Sequence, residues 1–385
     1  MAHTTSDNYD LAIAGAGVFG LSVAHAAIKA GLKTIVLEAK HVGAGSSGGL
    51  LGALMPHMPA RWNPKKEFQF QALSTLQTHI QALEAETGES CGYKRLGRIL
   101  PLTTQDKLDH HLERAEESKL RWHPQTTGFS YDVEPAGSRA DWLSAEAAPF
   151  GIVYETLAAR ASPRAYLYAL ASYVKCHGTL MEEAPVSAFD EITGSVHLAD
   201  TRRIKAESLV ISGGFAAFDM IENLTGEKIG RGEKGQALLL DGKGLEDRPA
   251  IYCDGLYVVP HDNGTVAIGS TSDRAAQDTV VDPIRSSELI NRATAFCPSL
   301  NDRAVLTEWA GVRPRCNKRD PLIGCLPGFE KTYAATGGFK ISFGIAHLVA
   351  EALVANITDQ KPQHDLPETF RPDNHFGGNR LSSDG

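Results

Sequence analysis

The chain has 385 residues, of which 42% are hydrophobic and 22% are charged, and its formal net charge at pH 7 is −8. This length predicts two or three folding units, of which we expect two, and the composition is that of an ordered globular protein with enough apolar material for a buried pocket. The acidic balance argues against a nucleic-acid or anionic-membrane surface and favours a small-molecule partner.

The six cysteines lie far apart, without a C-x-x-C pair or the grouped cysteines and histidines that zinc requires. We therefore expect reduced thiols, no metal site and a cytoplasmic enzyme. The first ten residues lack the basic and apolar segments of a secretory signal. The longest apolar helical stretch, 341–357, contains His347 and Glu351 and is too short to span a membrane, so it is predicted to be a core helix.

The start of the chain has the pattern of a β-α-β unit. An apolar run at 11–14 leads into glycines, an apolar-rich segment follows, and Gly31 precedes a strand-like run at 33–38. Apolar residues at helical spacing over 66–86, with Gly88 as a C-terminal stop, then predict a long surface-facing helix.

The charged, helical segment 104–119 and the turn-rich stretch 128–137 look like an insertion and not part of the first unit. Beyond them, a helix is predicted from Pro163 to residue 176 and a strand at 208–212.

The next region has the pattern of an antiparallel sheet. Strand-like runs separated by Gly, Pro and Asp-Asn-Gly turns occur at 236–240, 251–252, 256–259 and 266–268. After Asp359 the chain is polar, and we expect it to lie on the surface or to be loose.

The strongest local signal is Gly15-Ala16-Gly17-Val18-Phe19-Gly20, between a predicted strand and helix, with Glu38 at the end of the next strand. Gly15 permits a tight turn, Gly17 lets the backbone approach a pyrophosphate, and Gly20 lets helix and strand pack closely. The helix N-terminus offers N–H groups to phosphates, and the carboxylate accepts hydrogen bonds from ribose hydroxyls. The pattern predicts a dinucleotide site, although Glu38 cannot separate NAD from FAD.

A second match to the same letters, Gly230 to Gly235, precedes a strand-like run instead of opening a helix, so we expect it to bind no phosphate. A flavoenzyme reduced by NAD(P)H through its own second nucleotide unit would need another genuine fingerprint. The sequence shows none, which favours a substrate as the electron source.

The glycine- and serine-rich segment 43–49 follows the second strand directly. With it, the chain resembles the D-amino-acid oxidase family of flavoproteins, particularly its glycine oxidase and sarcosine oxidase branch. The resemblance covers nearly the whole chain. It rests on the N-terminal unit at 9–38 and on the segments 43–56, 210–214, 257–260, 267–271, 310–314, 321–324 and 336–341.

The resemblance implies an α/β fold: a Rossmann-type FAD-binding domain of the glutathione-reductase-like kind beside an α+β substrate domain with an antiparallel sheet. The implied ranges are 8–60, 145–222 and 305–358 for the discontinuous FAD-binding domain, 61–144 and 223–304 for the substrate domain, and 359–385 for a polar tail.

The resemblance also implies a set of residues around non-covalent FAD. Cys316 lies beyond Arg313 instead of at the position where covalent relatives carry their cysteine. The implied cofactor residues are Gly15, Gly17, Val18, Phe19, Gly20, Glu38, Ala39, Lys40, Gly45, Ser46, Ser47, Gly48, Leu51, Gly52, Val186, Gly213, Gly214, Gly311, Gly337, Gly338, Phe339, Lys340 and Ile341.

Three residues are implied to act on the substrate. Arg313 occupies the position that grips the substrate carboxylate in glycine-oxidase-like members, with a structural arginine as the alternative. Tyr257 matches a tyrosine whose hydroxyl can reach the same carboxylate, and a core tyrosine is the alternative. Lys340 stands where several relatives carry arginine; it is a cation without the fork geometry, able to stabilise the reduced flavin or to lie near its oxygen-reactive face.

The expected reaction moves a hydride from the carbon next to a neutral amine to flavin N5 and yields an imine that hydrolyses. No dedicated base is required. His57 could act near the ring, but a structural loop histidine is the favoured interpretation.

Molecular oxygen or another acceptor takes the electrons, and a homo-oligomer is compatible with the sequence. The alternatives are a dehydrogenase with a quinone or protein acceptor, a tRNA-wobble-uridine-modifying oxidase, and a flavin-bound accessory subunit without turnover.

Overall fold

The computed structural model describes residues 8–274 and 278–377. The strands of these ranges are, in chain order, β1 (Asn8–Ala14), β2 (Thr34–Leu37), β3 (Ala53–Leu54), β4 (Arg98–Pro101), β5 (Tyr131–Glu134), β6 (Ile152–Glu155), β7 (Ala159–Arg160), β8 (Thr179–Met181), β9 (Val186–Asp190), β10 (Ser195–Leu198), β11 (Arg203–Ile211), β12 (Gly230–Asp241), β13 (Ala250–Cys253), β14 (Leu256–Pro260), β15 (Thr265–Gly269), β16 (Val305–Cys316), β17 (Leu322–Cys325) and β18 (Thr332–Thr336).

The helices are α1 (Val18–Lys29), α2 (Pro64–Thr87), α3 (Gln105–Trp122), α4 (Pro124–Thr127), α5 (Pro163–His177), α6 (Ala217–Thr225), α7 (Pro283–Phe296), α8 (Ser342–Ile357) and α9 (Pro372–His375). Local sequence explains their ends. In α2, the Asn63 side chain caps the first turn, Pro64 takes a position that needs no N–H donor, and Gly88 ends the helix in the left-handed conformation with φ 73°.

The first sheet has the strand order β17-β18-β11-β1-β2-β8, with the β9–β10 hairpin attached to β11. β1 is parallel to β2 and β11, and β11 is parallel to β18, as the β-α-β prediction requires. The carboxyl ends of β1, β2 and β11 therefore meet at one edge, where α/β sheets bind ligands.

The second sheet has the order β16-β12-β15-β14-β13-β4-β6-β5. Its neighbours are antiparallel except β4 and β13, which are parallel. The predicted antiparallel sheet is therefore confirmed, and the combination of the two sheets confirms the predicted fold class.

Three apolar layers hold the sheets and helices together. One lies between the first sheet and α1, α2, α5 and α8, and another covers the opposite face of that sheet under α6. A third fills the space between the second sheet and α7, around Leu238, Val258 and Leu289. On the opposite face of the second sheet, Val259 and Ala267 are buried in a small cluster with Leu51 and Met55, and the rest of that face is available to line a site.

Two expectations differ from the structure. The turn-rich stretch 128–137 contains β5, which pairs with β6. The segment after Asp359 is not loose throughout: Phe370 is fully buried, with its ring centroid 5.7 Å from that of Phe68. Apolar residues in an otherwise polar stretch tie it down.

The proposed domain ranges stay a prediction. β6 and β16 belong to the second sheet, although both lie within ranges assigned from the sequence to the cofactor domain. No helix in the described ranges is both long and apolar enough to cross a bilayer.

Candidate active site

The glycine turn after β1 has the close packing that its motif predicts. Gly15 has φ 115°, and a Cβ atom there would lie 2.6 Å from the Ser212 carbonyl oxygen. A Cβ on Gly20 would lie 2.0 Å from the Gly15 carbonyl oxygen. Both positions therefore require glycine, Gly15 for the turn and Gly20 for the contact between helix and strand.

Two side chains fix the surroundings of this turn. The Glu38 carboxylate accepts hydrogen bonds from the N–H groups of Ala16 at 2.7 Å and Lys40 at 2.9 Å. The Ser47 hydroxyl accepts the N–H of Val18 at 3.1 Å. The end of β2 and the turn at 46–48 are thus bound to the start of α1, beside its free N–H groups.

A groove of about 560 Å³ runs from this turn along the carboxyl edge of the first sheet. Gly20 and Gly48 do not line it; both pack against backbone, since a Cβ on Gly48 would lie 2.2 Å from the Gly43 carbonyl oxygen. The predicted cofactor residues that line the groove are Gly15, Gly17, Val18, Phe19, Glu38, Ala39, Lys40, Gly45, Ser46, Ser47, Val186, Gly213, Gly214, Gly311, Gly337 and Gly338.

A cavity of about 370 Å³ adjoins this groove, and the two share Ser46, Ser47, Trp309 and Ser342 in their walls. We call it the substrate cavity. The remaining predicted site residues line it: Leu51, Gly52, Tyr257, Arg313, Phe339, Lys340 and Ile341. The described residues of its wall are mostly apolar and include no Asp or Glu, while a few polar groups converge on it, as is typical of small-molecule sites.

Strand register places the aromatic side chains of the second sheet on the cavity face. Tyr252 pairs with Tyr257, Tyr257 with Gly269, Gly269 with Ala237, and Ala237 with Trp309. Directly paired residues point to the same side of a sheet, and residues two positions apart do so as well. Arg313, four residues beyond Trp309 on β16, therefore shares this face.

Neutral groups of the protein hold the Arg313 guanidinium. It donates from Nη1 to Ser270 Oγ at 2.9 Å and from Nη2 to the Thr271 carbonyl at 2.6 Å. Its Nε is buried and has no hydrogen-bond partner among the described residues. Because burial lowers the pKa of Arg313 and its described hydrogen-bond partners are neutral, the guanidinium favours an anionic acceptor ligand in the cavity that it lines.

Three cations surround the ring of Phe339. Arg313 Cζ, Arg315 Cζ and Lys340 Nζ lie 5.4, 5.1 and 5.5 Å from its centroid. The buried Glu233 carboxylate binds Arg315 and accepts a hydrogen bond from Ser272. Its negative charge is therefore paired with Arg315 and not with Arg313.

The Lys340 side chain is exposed toward the substrate cavity, yet the surrounding protein and the neighbouring Arg313 lower its pKa to about 8. Arg313 and Lys340 thus make one end of the substrate cavity positively charged, and the described lining residues include no carboxylate. This charge favours an anionic ligand.

Arg98, in another part of the cavity wall, forms a buried ion pair with Glu155, which lies behind the wall. Arg98 Nε is 2.9 Å from Glu155 Oε1, and both side chains are nearly inaccessible to solvent. Burial raises the pKa of Tyr257 to about 12, so its phenol keeps its proton and can donate a hydrogen bond.

His57 also lines the substrate cavity. Gln69 Oε1 accepts both the His57 backbone N–H at 2.7 Å and the ring Nδ1–H, and the Gln69 amide donates to the Met55 carbonyl at 3.1 Å. Burial and Lys65 lower the pKa of His57 to about 4. A neutral ring with its Nδ1 occupied agrees with the structural interpretation of this residue.

The second glycine-rich match lies in β12 and opens no helix, which confirms that interpretation of its context. Its glycines have other roles. A Cβ on Gly230 would fall 2.4 Å from the Phe218 ring, and one on Gly235 would fall 2.2 Å from Arg313 Nη2. Gly230 thus makes room for a core side chain under the first sheet, and Gly235 for a side chain of the substrate cavity.

Sequence reasoning did not find Trp309, Tyr252, Arg98 and Gly235. Alternation along β16 was an available signal, because Trp309 and Gly311 precede Arg313 at spacing two. The described residues contain no group of three or more His, Cys, Asp or Glu side chains placed to hold a metal ion.

Comparison with known proteins gives consistent matches. A family model described as "FAD dependent oxidoreductase", abbreviated DAO, matches residues 10–352. A glycine oxidase of Bacillus licheniformis is 24% identical over 369 residues, which are 94% of this chain and 96% of that protein.

Solved structures share the fold along nearly the whole chain. The crystal structure of glycine oxidase from Geobacillus kaustophilus matches with a TM-score of 0.86 at 20% identity, covering 97% of this chain and all of that one. The structure of iminodiacetate oxidase from Chelativorans sp. BNC1 matches with a TM-score of 0.84 at 18% identity, covering 94% and 98%.

Proposed function

Because the chain belongs to the DAO family of FAD-dependent oxidoreductases, we propose that it oxidises a small amino acid or amine of the glycine, sarcosine or D-amino-acid kind. The carbon next to the nitrogen loses a hydride, and the resulting imine hydrolyses in water. Two similar proteins are named as oxidases of glycine and of iminodiacetate. In both compounds the nitrogen is bonded to a CH₂ group that carries a carboxylate.

The observation that carries this proposal is the environment of Arg313. Its guanidinium lines an apolar cavity, and the described groups that accept its hydrogen bonds are all neutral. A carboxylate that binds this guanidinium gains charge-assisted hydrogen bonds and a fixed orientation. Tyr257 is placed on the same face to donate a further hydrogen bond.

The groove fits the FAD that the family requires. The glycine turn, where a Cβ on Gly15 would collide with backbone, would allow the diphosphate to approach closely, and Glu38 would accept hydrogen bonds from the ribose hydroxyls. The backbone of 337–341 surrounds the junction of groove and substrate cavity. When bound, FAD supplies the two-electron acceptor.

The chain itself supplies positioning and desolvation. Arg313 and Tyr257 hold the carboxylate, the aromatic and aliphatic wall excludes water, and the neutral His57 leaves the amine without a strong base. This arrangement suits a substrate whose amine is already uncharged.

An anaerobic screen of the purified holoenzyme tests the proposal. Small D- and L-amino acids, N-methylglycines and secondary amines are mixed with the protein, and loss of the visible flavin absorbance is followed. We expect bleaching with at least one carboxylate-bearing amine, and then either hydrogen peroxide in air or reduction of a dye without peroxide, which separates oxidase from dehydrogenase. Protein that stays colourless after incubation with FAD would contradict the proposal.

A further inference from the structure

A smaller cavity of about 250 Å³ lies behind the wall of the substrate cavity. The two cavities share Met58 and Tyr252 in their walls, so these two side chains form the partition between them. We call the smaller one the outer cavity. Its other lining residues are Leu100, Pro101, Lys107, His110, His111, Arg114, Cys253 and Asp254.

One face of α3 gives the outer cavity a positive charge. Lys107, His110, His111 and Arg114 follow the three- and four-residue spacing that places side chains on one side of a helix. Asp254 is the one carboxylate among the described lining residues, and Lys107 Nζ lies 2.9 Å from its Oδ2. The charge of Arg114 is therefore left without a carboxylate in this cavity.

His111, the buried histidine of the outer cavity, adds no positive charge to that of Arg114. His111 contacts the Tyr131 hydroxyl at 2.5 Å, and Arg114 Nη1 lies 3.4 Å from the other ring nitrogen of His111. Burial and the cations Arg114 and Arg98 lower the pKa of His111 to about 4. Among the described residues that line the outer cavity, Arg114 is thus the cation without a carboxylate partner in the lining.

The partition is built from side chains that can move. Met58 is unbranched and half-buried, and its sulfur accepts one weak hydrogen bond, from the Tyr131 hydroxyl at 3.4 Å. Tyr252 is half-buried and packs against Tyr257, with ring centroids 4.6 Å apart. At the other side of the outer cavity, His110 and Asp254 are exposed to solvent.

We infer that the outer cavity is the passage by which carboxylate-bearing ligands enter and leave the substrate cavity, with Met58 and Tyr252 as its gate. The inference rests on the proposed function, because it requires a carboxylate ligand at Arg313. Arg114 draws the anion to the gate, and Arg313 beyond the gate binds it. A cleft with one sign of charge raises the rate of encounter with a ligand of the opposite sign.

The first test blocks the passage in the FAD-loaded enzyme. Acetate is the probe, its binding is followed by stopped-flow absorbance of the flavin, and the variant is His110→Trp, whose residue lines the outer cavity alone. We expect the association and dissociation rates to fall together, by about tenfold, with an unchanged Kd, because a plug raises the barrier without altering the free or bound state. Leu120→Trp, exposed on the same helix but outside the cavity lining, is the matched control and should leave both rates unchanged.

The second test removes the charge. In Arg114→Gln the association rate of acetate should fall about threefold to tenfold at low ionic strength and approach the wild-type rate in about 1 M salt. The association rate of uncharged acetamide should not change. Arg114→Lys should restore the rate, and Arg121→Gln, on the same helix beside Glu117, is the control.

The outcomes separate the two proposals. If wild-type holoenzyme binds acetate and His110→Trp binds and releases it at wild-type rates, the passage is overturned and the carboxylate site stands. A change of Kd without a change of both rates also overturns it, because it shows a binding site and not a route. If wild-type holoenzyme binds no carboxylate, the proposed function fails, and the passage fails with it.

Discussion

The guanidinium of Arg313 lies against the backbone of Gly235 on the neighbouring strand, so closely that a Cβ at residue 235 would come within 2.2 Å of Nη2. A glycine in a strand interior weakens the strand, and here it leaves the space that the arginine occupies. The two residues form one structural unit, although 77 positions separate them in the chain.

Gly235→Ala should displace Arg313 and lower kcat/KM for a carboxylate-bearing amine by about 10- to 100-fold, because a misplaced guanidinium loses its charge-assisted hydrogen bonds. FAD content should stay at the wild-type level, since Gly235 does not line the groove. Steady-state kinetics and the flavin-to-protein absorbance ratio measure both. In an Arg313→Met background the same alanine should have little further effect; additive losses would show that Gly235 acts independently of the arginine.

Arg313→Lys should raise KM for the carboxylate-bearing substrate more than it lowers the rate of flavin reduction at saturation. A lysine keeps the charge but loses the fork that can bind a carboxylate with two parallel hydrogen bonds, at a cost of about tenfold or more in affinity. Anaerobic stopped-flow reduction gives both quantities. An amine without a carboxylate serves as the control substrate, and an equal loss with both substrates would place Arg313 outside carboxylate recognition.

Lys340 should make carboxylate binding dependent on pH near 8. Burial and Arg313 lower its pKa to about 8, so the cation is present below that pH and is lost as pH rises through it. The Kd of acetate, which is already ionised throughout, should therefore increase between about pH 7 and pH 9. Titration of the flavin spectrum measures it. Lys340→Met should flatten this dependence, and an unchanged slope in that variant would assign it to another group.

Two buried histidines and a half-buried one should make the fold sensitive to acid. His25, His79 and His347 lie in contact between α1, α2 and α8, with ring centroids 5.3 Å apart for the first pair and 4.9 Å for the second. Burial lowers the pKa of His25 to about 4 and of His79 to about 3, and holds that of His347 well below 6.5.

Because an unfolded chain takes up these protons near pH 6.5 and the folded chain does not, the contribution to stability is complete above pH 6.5 and is lost as pH falls toward 4. Thermal unfolding across this window should show Tm falling with pH. His79→Gln should reduce the slope of that curve, whereas parallel curves for the two proteins would contradict the assignment.

Denaturation should release FAD from the protein, because we expect no covalent bond between them. Cys316 lies beside the groove, where a Cβ on Gly337 would meet its sulfur at 2.2 Å, but burial raises the pKa of the Cys316 thiol to about 12. A thiol that stays protonated is a poor nucleophile, so we expect no bond to the flavin. Acid precipitation should leave the yellow colour in the supernatant; colour retained in the pellet would show covalent attachment.

Much of the nucleotide-binding half was predictable. The β-α-β unit, the glycine turn and Glu38 follow from patterns within 30 residues, and α2 ends at Gly88 as its pattern predicts. β4, β5 and β6 were not predicted, because short strands in a region with turn signals gain their stability from partners that are distant in the chain.

Among the residues of the substrate cavity, too, some were predicted from the sequence and others were not. Arg313, Tyr257 and Lys340 were found through the resemblance to a family, and the structure brings all three to one cavity. Tyr252 and Trp309 were missed because a strand pattern says which residues alternate and leaves open which face is buried. The register across β13, β14, β15, β12 and β16 settles that.

Local sequence pattern is enough to indicate the fold class of this protein, because it predicts a dinucleotide-binding turn near the N-terminus and an antiparallel sheet later in the chain. Such signals depend on backbone conformation and periodicity, which act over a few residues. The charge of the cavity is a property of the folded chain. Whether Glu233 neutralises Arg315 or Arg313, whether Gly235 makes room for a guanidinium, and whether Met58 separates two cavities all depend on atoms brought within a few ångströms by long-range pairing.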